Sequence, residues 1–505
     1  MVKNRNMGLI LSYINTFLSM ICGLFLSSFL LRQLGDTDYG IYQTMSSFAN
    51  YLVLLEFGTG TVLSRNLVAS RTRGESKLQA EKNISTIWTI MSALAGLILL
   101  VSVVFYCLIP SIYSATLNGE QIILGRNIFV FIVVFLLSSF ISQTLNGIAL
   151  AHEHYTFSSA VSIIKLILRT GLLAALIIGF RQAILIAVVD AILGVAIAIF
   201  SYCYCRKAFK VKINFKNFDK MILKASLPLC LAIFLQAIVN QSNNIVGKFI
   251  LGVMSGPEDV ALYSVALYIF GIFSSLSTIP VSMYVPQVTQ TVLEGVEGLS
   301  LTKTLVQPCR LIVLISGSVL FGFIACGRQF IEIVYGQEYL LAWLMALLLI
   351  VPSFLNMSNA VVLNVLDAKN KRIIRSYILM ATTALNLAMT IFGIKYFGII
   401  FAAAATGIAT LIQVIIMNIY YQKSIGIKVM YLFRNIYKGI VLYQIIGAAV
   451  GYAISAFINN VYIAFLVGGI VYVLVSFGGF LLLGKSQKEE DFITKIFEKL
   501  KSNKE

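Results

Sequence analysis

Charge set in an otherwise apolar run is the first chemistry this sequence offers. The stretch from Ser162 to Val195 has the length and apolarity of two lipid-spanning helices, yet it carries Lys165, Arg169 and Asp190. A Lys, Arg or Asp at the centre of a spanning helix costs roughly 2.5 to 3.5 kcal/mol, so three of them facing lipid would cost on the order of 8 to 10 kcal/mol. They must face protein or water. With Gly179 to Gln182 as the turn between two helices, Arg169 and Asp190 lie about ten residues from it on opposite arms. At about 1.5 Å of rise per residue they reach one depth, where they can pair. Lys165 sits four residues before Arg169, on the same helical face as a like charge, and calls for something anionic. Two readings stand together: a carboxylate from another helix neutralises it, Glu56 in YLVLLEFGTG being the obvious one, or the face lines a cavity for an anionic substrate to which that carboxylate yields.

The elements that hold these residues follow from composition. A chain of 505 residues with 59% hydrophobic and 12% charged residues and a mean hydropathy of +0.90 carries about half the charged fraction of a soluble protein. It reads as an all-α polytopic membrane protein. Apolar runs of about 20 residues, without the ten-residue alternation of barrel strands, exclude a β-barrel. We count about 14 spans, near 8–31, 41–63, 84–109, 127–150, 157–179, 182–204, 222–247, 260–283, 306–326, 340–363, 374–395, 397–420, 439–458 and 461–483. The run from Met7 to Leu31 is too long for a signal peptide and has no small-residue cleavage site after it.

The net charge of +17 points to orientation rather than to nucleic acid. Lys and Arg concentrate in the N-terminus and in alternate loops (Arg65 to Lys82, Arg206 to Lys220, Lys369 to Arg375, Lys423 to Lys438), whereas the intervening loops hold one or none. By the positive-inside rule both termini are cytoplasmic. The seven cysteines lie in or beside apolar runs without CxxC spacing, and read as reduced structural thiols. His152-Glu153-His154 offers at most two well-placed ligands on a short turn, too few for a metal site, and reads as a solvated hairpin. The tail KSQKEEDFITKIFEKLKSNKE reads as an amphipathic helix on the inner leaflet.

The exit from the first span, FLLRQLGDTDYGIYQTMSSF, parallels that from the seventh, FILGVMSGPEDVALYSVALYIF: an apolar run, a Gly, an acidic pair, then an aromatic and a small residue. Helices 1 to 6 and 7 to 12 are thus expected to be two copies of one unit in the same orientation. The expected division is 1–205, an N-lobe; 206–422, a C-lobe; 423–484, two further helices; and 485–505, the tail. The first helix of each half has a polar stripe, Ser12, Asn15, Ser19 and Gly23 in one and Gln236, Asn240, Asn243 and Asn244 in the other. Interhelical hydrogen bonding is one account of it, a wetted, sugar-compatible face the other. Pro228, Pro280, Pro286 and Pro352 are expected kinks or hinges of the second half.

FLSSFLLRQLGDTDYGIYQ, LLEFGTGTVLSR, IEIVYGQEYLLA and the 6+6+2 layout together resemble bacterial polysaccharide flippases. These are the O-antigen and capsule transporters of the superfamily that includes multidrug-and-toxin extrusion proteins and lipid II flippases. The resemblance implies two six-helix lobes, alternating access and a cationic cavity. It implies as cargo an undecaprenyl-pyrophosphate-linked oligosaccharide, moved from the cytoplasmic to the outer leaflet. On that reading Lys165 and Arg169 meet the pyrophosphate, with Arg32 and Lys248 as weaker candidates and Gln236, Asn240 and Asn244 toward the glycan. Arg310 is weaker still. Glu56 and Asp190 either carry a coupling proton or Na⁺ or only balance charge. No cofactor is implied and no enzyme motif is present. The expected setting is the bacterial cytoplasmic membrane, as a monomer beside membrane lipid, with a polysaccharide polymerase and glycosyltransferases as partners. The rival readings are a drug/cation antiporter of the same architecture, which would need an acidic cavity, a membrane-bound polymerase or glycosyltransferase, which would need a long outer loop, and a lipid II-type precursor flippase.

Overall fold

The computed structural model describes residues 2–56, 58–209, 217–369 and 371–484, and all regular structure among them is helical. In chain order the α-helices are α1 (Val2–Val53), α2 (Thr59–Thr72), α3 (Lys77–Tyr113), α4 (Gly119–Ala151), α5 (Tyr155–Phe180), α6 (Ile184–Phe209), α7 (Lys220–Met254), α8 (Pro257–Met283) and α9 (Val285–Leu293). Then follow α10 (Gly298–Val334), α11 (Leu341–Met357), α12 (Val362–Ala368), α13 (Arg372–Phe397), α14 (Ile400–Tyr420), α15 (Val429–Tyr437), α16 (Val441–Ala456) and α17 (Val461–Gly479). Among the described residues 11 helices are long and apolar enough to cross a membrane, or up to 12 with a bent pair taken as one span. The protein is a multi-pass membrane protein. Each of the 14 expected spans falls on one of these helices or on a helix pair, two of them on α1 either side of Gly35.

The breaks follow local chemistry. Gly35 leaves the helical region with φ 79, a conformation that costs glycine little and other residues more. The second expected span is not continuous: the helix ends at Val53, passes through a single 3-10 turn, Leu54–Glu56, and restarts after Gly58. The tenth is also broken, between α11 and α12, six residues beyond Pro352. Pro280 lies in the last turn of α8, and Pro286 opens α9 just after it. Caps set the starts: Asn118 and Gln121 form a reciprocal capping box at α4, each bond 2.9 Å, and Asp219 accepts from Met221 N at 2.9 Å at the head of α7.

The helices pack as two units. The first comprises the described residues through Ser264 with Ile394–Ile399, the second Val265–Gly393 and the described residues from Ile400 onward. Within the first, one apolar cluster joins α1, α3, α4 and α6 through Ile41, Met45, Phe105, Ile128, Phe129 and Ala187. A second joins α2, α3, α4, α6 and α7 through Leu63, Ile87, Leu145, Ile148, Cys205 and Cys230. In lipid the force between helices is close packing rather than hydrophobicity. Accordingly α2 meets α4 backbone to backbone: a Cβ on Gly147 would overlap the Gly60 carbonyl, and Thr59 and Thr144 hydroxyls bond at 3.0 Å. The two segments whose sequences run parallel also touch, with Thr37 donating to Glu258 at 3.0 Å.

Within the second unit, α10 packs against α11, α15, α16 and α17. Small residues again permit the approach, Gly451 of α16 lying against Gly468 of α17. Arg310, buried on α10, donates to the Asn435 and Lys438 carbonyls at 2.9 and 2.8 Å. It satisfies the end of α15. The tail 485–505 and Lys210, Lys212 and Lys216 lie outside the described residues.

Candidate functional site

Lys165, Arg169 and Asp190 come together in the first unit, on α5 and α6, with contacts from α1 and α4. Arg169 of α5 and Asp190 of α6 form a two-pronged pair: the guanidinium Nε donates to Oδ1 and Nη2 to Oδ2, the latter at 2.9 Å. Tyr42 of α1 reaches the same Oδ2 from 3.5 Å. A planar fork against a carboxylate is the strongest arrangement available to such a pair. Asp190 is buried, so the pair neutralises a charge that the fold has removed from solvent.

Lys165, one turn earlier on α5, is left out of that pair. Its ammonium lies 4.6 Å from the centroid of the Phe135 ring on α4, and no carboxylate forms an ion pair with it among the described residues. Glu56 does not serve: its carboxylate accepts from the Gln143 amide at 2.8 Å. The cause is the break after Val53, which carries Glu56 on a 3-10 turn rather than on a continuous helix face. The ammonium instead lines a groove of about 400 Å³ between α4, α5 and α6, with Val53 of α1 at its edge. Its polar lining is Ser139, Ser142, Gln143 and Asn146 from α4, Ser158 and Ser162 from α5, and Ser201 from α6. The α4 residues recur at helical spacing in SSFISQTLNG, a stripe the sequence displayed and composition hid.

A second cation, Lys248 of α7, donates to Gln43 Oε1 at 3.0 Å, and the Gln43 amide donates on to Tyr39 at 2.7 Å. Tyr42 and Gln43 are neighbours on α1, so this helix carries one link to each cationic centre. Their part was not evident in the sequence, because aromatic and amide side chains in an apolar helix are commonplace. Arg32 is exposed at the end of the first half of α1. The side chains of Gln236, Asn240, Asn243 and Asn244, and of Ser12, lie outside the described residues. The aromatic cluster at the α4–α5 turn holds both histidines: His154 Nδ1 bonds the Tyr204 hydroxyl at 2.9 Å, and His152 stacks on Phe209 at 4.3 Å. Glu153 between them pairs with Arg71 at 3.6 Å.

Helices of this number with charge held inside them define the class as an all-helical, multi-pass membrane protein. Solved structures share its fold. "Lipid II flippase MurJ, inward closed conformation" matches with TM-score 0.70 and 18% identity over 94% of this chain and 100% of that one. An inward-facing multidrug resistance MATE family transporter of the MOP superfamily matches at 0.57 and 13%, over 85% and 99%. A point mutant of the Vibrio cholerae MATE transporter VcmN matches at 0.55 and 11%, over 84% and 97%. The chain belongs to the polysaccharide biosynthesis protein family, whose model matches residues 7–292. Comparison with curated proteins returns no match.

Proposed function

We propose that this protein is a flippase for undecaprenyl-pyrophosphate-linked oligosaccharide, moving it across the bacterial cytoplasmic membrane by ion-coupled alternating access between two pseudo-symmetric lobes. The observation that carries the reading is Lys165: a cation inside a spanning helix, with no carboxylate within ion-pair distance among the described residues, at a groove lined by hydroxyls and amides. An anion is what such a position lacks, and the head group of a phospholipid-linked sugar supplies both charge and hydroxyls. Membership of the polysaccharide biosynthesis family supports the cargo class, and likeness to a lipid II flippase supports a fold that can move lipid-linked cargo.

In this reading Lys165 is the main contact for the pyrophosphate. Arg169, tied to Asp190, shapes the field around it. Lys248 and Arg32 are secondary cationic contacts, and Gln236, Asn240 and Asn244 line the glycan's path. Glu56, whose hydrogen bond among the described residues is to a neutral amide, is better placed than Asp190 to carry a coupling proton or Na⁺. The protein is a transporter and not an enzyme, acts as a monomer with both termini cytoplasmic, and works beside a polymerase and glycosyltransferases of surface polysaccharide assembly, O-antigen or capsule.

The test is delivery of surface polysaccharide in cells lacking the chromosomal copy. Lys165→Ala is expected to abolish delivery while membrane abundance stays at the wild-type level. Wild-type delivery by Lys165→Ala at equal abundance would remove the assignment.

A further inference from the structure

A second cavity of the first unit lies among the basic loops and shares no lining residue with the groove at Lys165. It measures about 510 Å³, within the roughly 300–1,000 Å³ of small-molecule sites. Its apolar lining is Leu67 of α2, Ala80 and Ile84 of α3, Ala151 of α4 and Phe209 of α6. Its charged lining carries both signs, Arg71 and Lys77 with Glu75 and Glu81, and so no net charge. The positive-inside rule expects this face in the cytoplasm, which sets the cavity at the inner leaflet.

These charges are only loosely engaged with one another. Lys77 and Glu81 stand one turn apart on α3, in the order that pairs more weakly along a helix. Neither forms an ion pair among the described residues. Arg71 reaches Glu153 at 3.6 Å and Glu75 reaches Arg73 at 3.7 Å, and all four of these residues are exposed. Surface pairs of that kind hold weakly and give way to a ligand. His152, also in the lining, donates its Nδ1 proton to the Ile148 carbonyl at 2.9 Å, so the neutral ring keeps an acceptor lone pair on Nε2.

A ligand that matches this lining holds a negative and a positive group close together, with an apolar portion beside them. A net anion, such as a nucleotide or a phosphatidylglycerol head group, would meet Arg71 and Lys77 but also two like charges at Glu75 and Glu81. A simple cation fails in the opposite way. An ethanolamine phosphodiester satisfies both sets: its phosphate oxygens accept from Arg71 and Lys77, and its ammonium has three N–H to give to Glu75, Glu81 and His152. The apolar lining then takes the glycerol and the first methylenes of a lipid.

We infer that this cavity binds the head group of phosphatidylethanolamine from the inner leaflet, phosphate toward Arg71 and Lys77 and ammonium toward Glu75 and Glu81. The inference is independent of the flippase reading, since it uses no residue placed on the transport path.

The experiment is native mass spectrometry of the purified full-length protein in detergent, with phosphatidylethanolamine, phosphatidylglycerol and phosphatidylcholine of identical acyl chains at equal concentration. The wild type is expected to retain phosphatidylethanolamine about fivefold over each of the others, phosphatidylcholine having the charge without the N–H donors. Glu81→Gln should remove most of the preference over phosphatidylglycerol. Glu75→Gln should lower it in the same direction, which keeps the test alive if Glu81→Gln disturbs α3. Lys77→Gln should weaken both of these lipids and leave their ratio intact. A wild type that retains the three lipids equally, or a ratio unchanged in both Glu81→Gln and Glu75→Gln, overturns the inference. Displacement of the lipid by soluble phosphoethanolamine at equal concentration overturns the lipid as the source of the head group.

Discussion

Arg169 and Asp190 were legible as a pair because the cost of bare charge in an apolar run is large and the hairpin turn fixes their depth. Glu56 was not legible. Its partner depends on where the backbone stops being helical, and a 3-10 turn after Val53 leaves no trace in hydrophobic periodicity beyond the glycines that follow it. The pair also separates structure from recognition at the scale of single side chains. Removing one member of a buried pair leaves the other uncompensated, at a cost of about 3–5 kcal/mol. Asp190→Asn is therefore expected to lower the thermal stability of the detergent-purified protein by several degrees and to reduce its membrane abundance. The double change Arg169→Leu with Asp190→Leu should regain most of that stability, since two apolar residues replace a neutralised pair. An unaltered melting transition in Asp190→Asn would show that the fork contributes nothing to the fold.

Helix positions came through well from the sequence, and helix contacts did not. Residues that face lipid are as apolar as residues that face protein, so periodicity, which marks the buried side of a soluble helix, is weak in these spans. What decides contact is the small residue, and it is visible only once the neighbour is known. Gly147 lies against the Gly60 carbonyl, whereas Gly171 on α5 has open space where a Cβ would be. Gly147→Ala should destabilise by about 1–3 kcal/mol through overpacking, while Gly171→Ala should be neutral or stabilising by up to about 1 kcal/mol. Thermal shifts of the two variants side by side check this, and equal behaviour would mean that the α2–α4 contact is not tight. A surface contact in the second unit gives a pH test. Lys369 Nζ donates to Glu297 Oε1 at 2.6 Å, and that bond with the attendant charge holds the Glu297 carboxyl below its ordinary value of 4.5. A lowered folded-state pKa adds stability that is present above the ordinary value and is lost as pH falls through the folded value. The difference in melting temperature between wild type and Glu297→Gln should thus be small but measurable at pH 7 and should vanish in acid. A gap that widens on acidification would contradict it.

For the whole molecule, composition and charge placement carried the class: an all-helical chain, multi-pass, with basic loops alternating along its length. The family resemblance seen in the segments around Gly35 and Glu56 falls within residues 7–292, which the family model matches, whereas the segment around Tyr335 lies beyond them. The groove was hidden because it is made by α4 as much as by α5, and no charge in the middle of α4 advertises it. The account as a whole depends on that groove loading an anionic head group during transport. The direct measurement is transbilayer movement of a fluorescently labelled undecaprenyl-pyrophosphate oligosaccharide in proteoliposomes of the purified protein. The account predicts movement well above protein-free vesicles for the wild type, loss to that background for Lys165→Ala, and partial recovery for Lys165→Arg, which keeps the charge. Movement by Lys165→Ala at the wild-type rate, in vesicles of equal protein content, would contradict it.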